Sequence, residues 1–133
     1  MNKTTALQVS PYLFPILKIH NPRDFTDPNS IISFVCESFD VQRKYLHTEK
    51  GMRGIERFAV VRQVCFYMLH KFTSLTLKTI GNFFDERHHT TVLHAVKCVN
   101  NIKDTRDKEY FETIVMIERF LNERYQVYDR TRY

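Results

Sequence analysis

The sequence predicts an all-α protein built on one domain, and three observations carry that prediction. Apolar residues recur at steps of three and four along most of the chain, the period of an amphipathic helix. No run alternates with the period of two that a half-buried strand needs. Only three Gly and four Pro occur in 133 residues, too few turn formers for a sandwich or barrel of many short strands. The length fits a single domain, and an apolar share of 43% suffices for a packed core.

Residues 1–27 form an N-terminal arm that contains Pro11, Pro15 and Pro22. Proline fixes φ and removes a donor, so this stretch is not one uninterrupted helix. Its apolar segment, Tyr12 to Leu17, either lies across the domain or serves as a docking peptide. The domain proper spans 28–125. Asp27-Pro28 pairs an N-cap with Pro at the first helical position. The helix they open carries Ile31, Ile32, Phe34, Val35, Cys36 and Phe39 inward and ends near Asp40. Asp40 is expected to cap a short helix from Val41 to Leu46. Residues 47–54 read as a loop containing Gly51, Gly54, Lys50 and Arg53.

A long helix follows, from about Ile55 to Phe72. Phe58, Val61, Cys65, Met68, Leu69 and Phe72 fall on one face, while Ala59, Val60, Val64 and Phe66 make other faces apolar. The helix is therefore expected to be central and buried. A short helix from about Thr76 to Phe84 presents Leu77, Ile80 and Phe83 or Phe84. Asp85-Glu86-Arg87-His88 breaks the pattern, and another helix from about His89 to Lys103 turns Val92, Val96, Val99 and Ile102 inward. The last helix, about Asp107 to Tyr125, buries Phe111, Ile114, Val115, Ile117 and Leu121. Residues 126–133 are expected to be a short exposed tail.

Charge and composition exclude several functions. Lys and Arg number 20 against 15 Asp and Glu, a net +5 that permits a nucleic-acid partner without demanding one. Cys36, Cys65 and Cys98 are an odd number at wide spacings, neither a disulfide framework nor a zinc pattern, and read as reduced core thiols. His94 and Cys98, four apart on one helix face, lack a second pair at ligand spacing, so no metal is expected. No glycine loop for a nucleotide can be drawn through Gly51, Gly54 and Gly81, and no cofactor is expected. No apolar run reaches 18 residues and no cleavable leader is visible, so the expected location is the cytoplasm, without a membrane partner.

Leu75 to Ile102 carries the functional signal. A short helix, a sharp polar turn and a helix of about four turns is the pattern of a helix-turn-helix, whose second helix enters the major groove N-terminus first. Arg87, His88, His89, Thr90 and Thr91 stand at that N-terminus, and all five can hydrogen-bond. Free backbone N–H groups and the helix dipole at the same end suit phosphate.

The stretch Ile80 to Ala95, Ile-Gly-Asn-Phe-Phe-Asp-Glu-Arg-His-His-Thr-Thr-Val-Leu-His-Ala, closely resembles the signature of the DNA-binding C-terminal domain of bacterial DnaA replication initiators. Arg62-Gln63 stands upstream at the spacing that family uses, and the resemblance covers about residues 29–121. It implies a small helical bundle with a Trp-repressor-like helix-turn-helix. It also implies that His89 and Thr90 touch bases and that Thr91 lies near phosphate or a base methyl. Arg87 stands where the signature Arg does. Arg62 and Gln63 match positions that contact the DNA backbone, and Arg53 or Lys50, with Arg57 next in line, matches a basic loop that reaches the minor groove. Lys78 and Lys97 are expected to add phosphate contacts, and His94, on the same helix as Lys97, joins the expected DNA-binding residues.

Two departures stand out. His88 replaces the family's Asp, and Asp85-Glu86 replaces its Gly-Gly, adding negative charge and removing backbone freedom from the turn. The chain leaves no room for the ATPase module of a complete initiator. The expected protein is a free-standing binder of double-stranded DNA at a DnaA-box-like site. It would act in replication initiation or its regulation, at an origin in the bacterial nucleoid, with no enzymatic activity. The alternative is an interaction module that keeps the fold and docks a replication-protein partner.

Overall fold

Asp27 opens the first helix: its carboxylate accepts the backbone N–H of Asn29 at 3.2 Å, and Pro28 follows where no intrahelical donor is needed. The computed structural model describes residues 27–47 and 56–132, with side chains as far as Arg124. The arm before Asp27 and the loop residues Lys50 and Arg53 lie outside the described residues. Six helices run in order: α1 (Pro28–Ser38), α2 (Lys44–His47), α3 (Glu56–Phe72), α4 (Leu77–Gly81), α5 (His89–Thr105) and α6 (Phe111–Arg132). No strand occurs among the described residues. The fold class is all-α, as the periodicity predicts.

Asp40 does something other than expected. It takes a left-handed φ of 57° and ends α1 instead of opening α2. The N–H of Val41 returns to the Cys36 carbonyl at 2.9 Å and that of Asp40 to Glu37 at 3.1 Å. This paired closure satisfies the last carbonyls of the helix, and α2 is left as a single turn beginning three residues later than predicted. Asp tolerates the left-handed region better than most residues because its short polar side chain can bond locally.

α3 is the hub. Val60, Val61, Val64, Cys65, Phe66, Tyr67, Met68, Leu69 and Phe72 are all buried, which leaves few positions for water. Each of the other helices packs against it. Phe66 meets Phe84 edge to face at 5.3 Å, the electrostatically preferred geometry, and Phe34 of α1 meets Phe120 of α6 at 4.8 Å. Cys36 and Cys65 are buried free thiols, whereas Cys98 is half-buried on α5 and not a core residue. Burial drives the Cys65 thiol well above its ordinary range, and its hydrogen bond with Cys36 adds to the effect.

The last helix starts later and runs further than predicted. Arg106 closes α5 in the left-handed region at φ 55°, and the Asp107 carboxylate then accepts the Glu109 N–H at 2.9 Å. That local bond spends residues 107–110 on a turn, so α6 begins at Phe111. It continues to Arg132, through the segment expected to be a tail, because no Gly or Pro interrupts it.

Periodicity does not single out Glu118, yet its carboxylate is buried. Tyr67 donates to it at 3.0 Å, Lys103 at 2.7 Å, and Lys71 also donates. Lys103 further donates to the Tyr67 hydroxyl at 3.0 Å. One anion thus joins α3, α5 and α6. Burial alone would raise the Glu118 carboxyl, but the bonds from Lys103, Lys71 and Tyr67 outweigh it and hold the pKa below the usual value. For Lys103, burial lowers and the bonds to Glu118 and Tyr67 raise, with a net rise.

Glu118→Gln removes the anion and leaves two ammonium groups facing a neutral amide. It should cost about 2–3 kcal/mol and lower Tm by roughly 10 °C. A depressed carboxylate stabilises the fold above its unfolded pKa, about 4.3, and loses that contribution as pH falls through the folded value. The raised Lys103 contributes below about 10.4 and loses its share as pH rises through its folded pKa. Thermal melts of both proteins should therefore differ most between about pH 5 and pH 10 and converge in acid. A constant gap down to pH 2 would contradict the assignment.

Candidate nucleic-acid interface

α4, the turn after it and α5 are built by local rules that leave one surface polar. The Thr76 side chain caps α4 by accepting the Thr79 N–H at 3.2 Å. Ile80 then enters the core, and Gly81 meets the turn that folds back over it. The Arg87 N–H donates to the Gly81 carbonyl at 2.9 Å. A Cβ on Gly81 would stand 2.1 Å from the Arg87 carbonyl oxygen, so only glycine allows this approach.

Between these contacts the chain reverses at Asp85 (φ 63°) and Glu86 (φ 54°). Both are left-handed, although neither is glycine. The family pattern places Gly-Gly here, and the structure keeps the glycine-like backbone with residues that strain in it. Phe84, fully buried, anchors the turn from the core side. The Asp85 carboxylate lies 3.5 Å from the His47 imidazole at the end of α2, a partner for the added charge that sequence reading does not reveal.

His88 is the N-cap of α5. Its Nδ1 accepts the Thr90 backbone N–H at 3.2 Å and lies 2.8 Å from the Thr90 hydroxyl. Its ring packs at a tilt against that of His89, with centroids 4.2 Å apart. From here α5 buries Val92, Ala95 and Val99. At three- and four-residue steps on the opposite side, His89, Thr90, Leu93, His94, Lys97, Asn100 and Asn101 are exposed. Thr91 is exposed beside them. This stripe has donors, acceptors, one ammonium group and an exposed apolar side chain, and no carboxylate before Asp104. Sequence reading missed Leu93, Asn100 and Asn101, which continue the spacing of His89, His94 and Lys97.

The other expected residues divide. Lys78 is exposed on α4. Arg87 is half-buried within the turn. Arg62 and Gln63 are half-buried on α3, and the Arg62 guanidinium donates to the Leu46 carbonyl at 3.0 Å. Arg57 donates to the Phe39 carbonyl and so fastens α3 to the end of α1. Both Arg side chains thus secure α1 and α2, a role their sequence positions do not disclose. His94 Nε2 lies 3.3 Å from Cys98 Sγ, and no group of three possible ligands for a metal ion occurs among the described residues. An open cavity of about 250 Å³ lies beside Glu37, Asp40, Tyr45 and Phe58, and none of the expected site residues lines it. No helix among the described residues is long and apolar enough to cross a membrane.

A family model described as the bacterial DnaA protein helix-turn-helix matches residues 28–99, from the start of α1 well into α5. The chain belongs to this family. The chromosomal replication initiator protein DnaA of Bacteroides thetaiotaomicron is 28% identical over 106 residues, covering 80% of this chain and 22% of that protein. The protein of the same name from Gloeobacter violaceus is 33% identical over 95 residues, covering 71% and 21%. That of Bacteroides fragilis is 32% identical over 96 residues, covering 72% and 19%. The chain thus spans about a fifth of the length of these curated relatives. No solved structure matches it.

Two substitutions test the turn of this DnaA-type helix-turn-helix. Gly81→Ala should force Gly81 and Arg87 apart and cost about 2–3 kcal/mol in denaturant titrations. Glu86→Gly should relieve left-handed strain and raise stability by roughly 0.5–1 kcal/mol, even though glycine loosens the unfolded chain. Loss of stability in the second variant would show that the Glu86 side chain matters more than its backbone.

Proposed function

We propose that this chain binds double-stranded DNA sequence-specifically through α5, in replication initiation or its regulation, by binding alone and without catalysis. The observation that carries the reading is the carboxylate-free stripe from His89 to Asn101, presented by the second helix of a DnaA-type helix-turn-helix. A helix of this kind enters the major groove with its N-terminal residues against base edges. His88, His89 and Thr90 are the base readers, and Thr91 and His94 flank them. Lys78 and Lys97 neutralise phosphates and fix register, since backbone contacts position while base contacts specify. Arg62 and Gln63 are assigned to the DNA backbone, with Arg57 and Arg87 beside them, by resemblance to the family. Lys50 or Arg53 is assigned to the minor groove by resemblance to the family. The relatives are named chromosomal replication initiators, which supports a DnaA-box-like target and a place in the bacterial nucleoid.

With Arg62, Lys78 and Lys97 each releasing one counterion, log Kobs should fall with log salt at a slope of about −3. Lys97→Ala should weaken all duplexes alike and flatten that slope by about one unit. Thr90→Ala should cost about 1–3 kcal/mol at one base pair and relax choice there. Mobility-shift titrations on a duplex selected from random sequence measure all three. A slope near zero, with no duplex retained at low salt, would assign the chain to protein docking instead.

A further inference from the structure

We propose that His88 and Thr90 form one reading unit whose hydrogen-bond polarity is fixed by the cap of α5. In it His88 presents an Nε2–H donor, which selects guanine and rejects cytosine. The inference rests on the duplex-binding reading above and adds which base edge this position accepts.

The argument starts from a donor that cannot change sides. A backbone N–H only donates, and that of Thr90 points at His88 Nδ1 from 3.2 Å. Nδ1 must therefore offer its lone pair. The neutral ring carries one proton, so it resides on Nε2. The second contact follows: with no hydrogen on Nδ1, the Thr90 hydroxyl at 2.8 Å supplies its own, and it shares the single Nδ1 lone pair with the backbone N–H as a three-centre bond. That hydroxyl proton is committed inward, and Oγ1 keeps only lone pairs for an outside partner. Both side chains are exposed, so both outward atoms are available to a ligand. The tilted contact with the His89 ring, 4.2 Å between centroids, restrains the ring's orientation. The unit thus shows one donor, Nε2–H, beside one acceptor, Oγ1.

The major groove distinguishes bases by this polarity. Cytosine offers the N4 amino donor, which repels an N–H. Guanine offers N7 and O6, two adjacent acceptors, whereas adenine follows its N7 with an amino donor and thymine its O4 with a methyl group. A single donor with some freedom to tilt is best served by guanine. The Thr90 oxygen, as an acceptor only, meets an amino group of cytosine N4 or adenine N6 on a neighbouring position.

His88→Asp is a discriminating change because it keeps the cap and reverses the polarity. Aspartate is among the preferred N-caps and accepts the Thr90 N–H through one oxygen. Its other oxygen then faces outward as an acceptor, which suits cytosine N4. The test has two arms on the full chain. Nitrogen-15 imidazole spectra of the free protein, with His88 assigned through His88→Asn, should show Nε2 protonated and Nδ1 bare. Selection from random duplex DNA should enrich guanine at one position for the wild type and cytosine there for His88→Asp. Preference at that position should change by about tenfold in each direction. Helical circular dichroism establishes that both variants fold. A protonated Nδ1, or the same base selected by both proteins, overturns the inference while leaving duplex binding intact. Failure of the wild type to retain any duplex overturns the duplex-binding reading and this assignment with it, whatever the spectra show.

Discussion

Because Val60, Val61, Val64, Phe66, Met68 and Leu69 on one helix are all buried, α3 has almost no side left for water. Such a helix is stable only when other elements cover it, since its sequence exposes too much apolar surface alone. α1, α4, α5 and α6 each supply part of that cover, and Phe84 carries the turn between α4 and α5 into the same core. α5 is therefore positioned by burial and, near its C-terminal end, by the Lys103 bond to Glu118, and not by its exposed stripe. Its buried residues, Val92, Ala95 and Val99, are small, which lets α5 lie close on α3. The outward stripe carries only local bonds, Thr90 to the capping His88 just before it and His94 to Cys98.

The turn between α4 and α5 shows how a demanding geometry survives unfavourable residues. Gly81 fits because nothing else does, while Asp85 and Glu86 hold left-handed backbone that the family fills with glycine. Three contacts hold them there: the Arg87 bond to Gly81, the buried Phe84 ring and the Asp85–His47 pair. Backbone strain of this size persists where the surroundings over-determine the conformation. The added negative charge lies in the turn and not along α5, so it borders the proposed interface without interrupting it.

Much of this was legible in the sequence because it follows from period and punctuation. The central burial of α3, the start of α1 at Asp27-Pro28 and the polar N-terminus of α5 are all local signals. The signature from Ile80 to Ala95 added the family. What escaped depends on residues distant in the chain or on ambiguous short-range chemistry. Glu118 looks like an ordinary surface residue until Tyr67, Lys71 and Lys103 arrive from two other helices. Arg57 and Arg62 also reach carbonyls at the ends of α1 and α2, contacts that the chain's local pattern does not disclose. Asp40 has the composition of an N-cap and the backbone of a terminator, a choice that the packing of Val41 decides. The start of α6 escapes a periodicity reading because the Asp107 carboxylate holds residues 107–110 in a turn ahead of Phe111.

α6 has a mechanical character that its packing alone does not convey. It is 22 residues long, about 33 Å at the usual rise, while Leu121 is its last described buried residue. The helix runs on for roughly 16 Å beyond that residue. Its root is clamped by Glu118 to α3 through Tyr67 and Lys71 and to α5 through Lys103. Any displacement of α6 at Glu118 is thus shared with the C-terminal end of α5, because one carboxylate holds both.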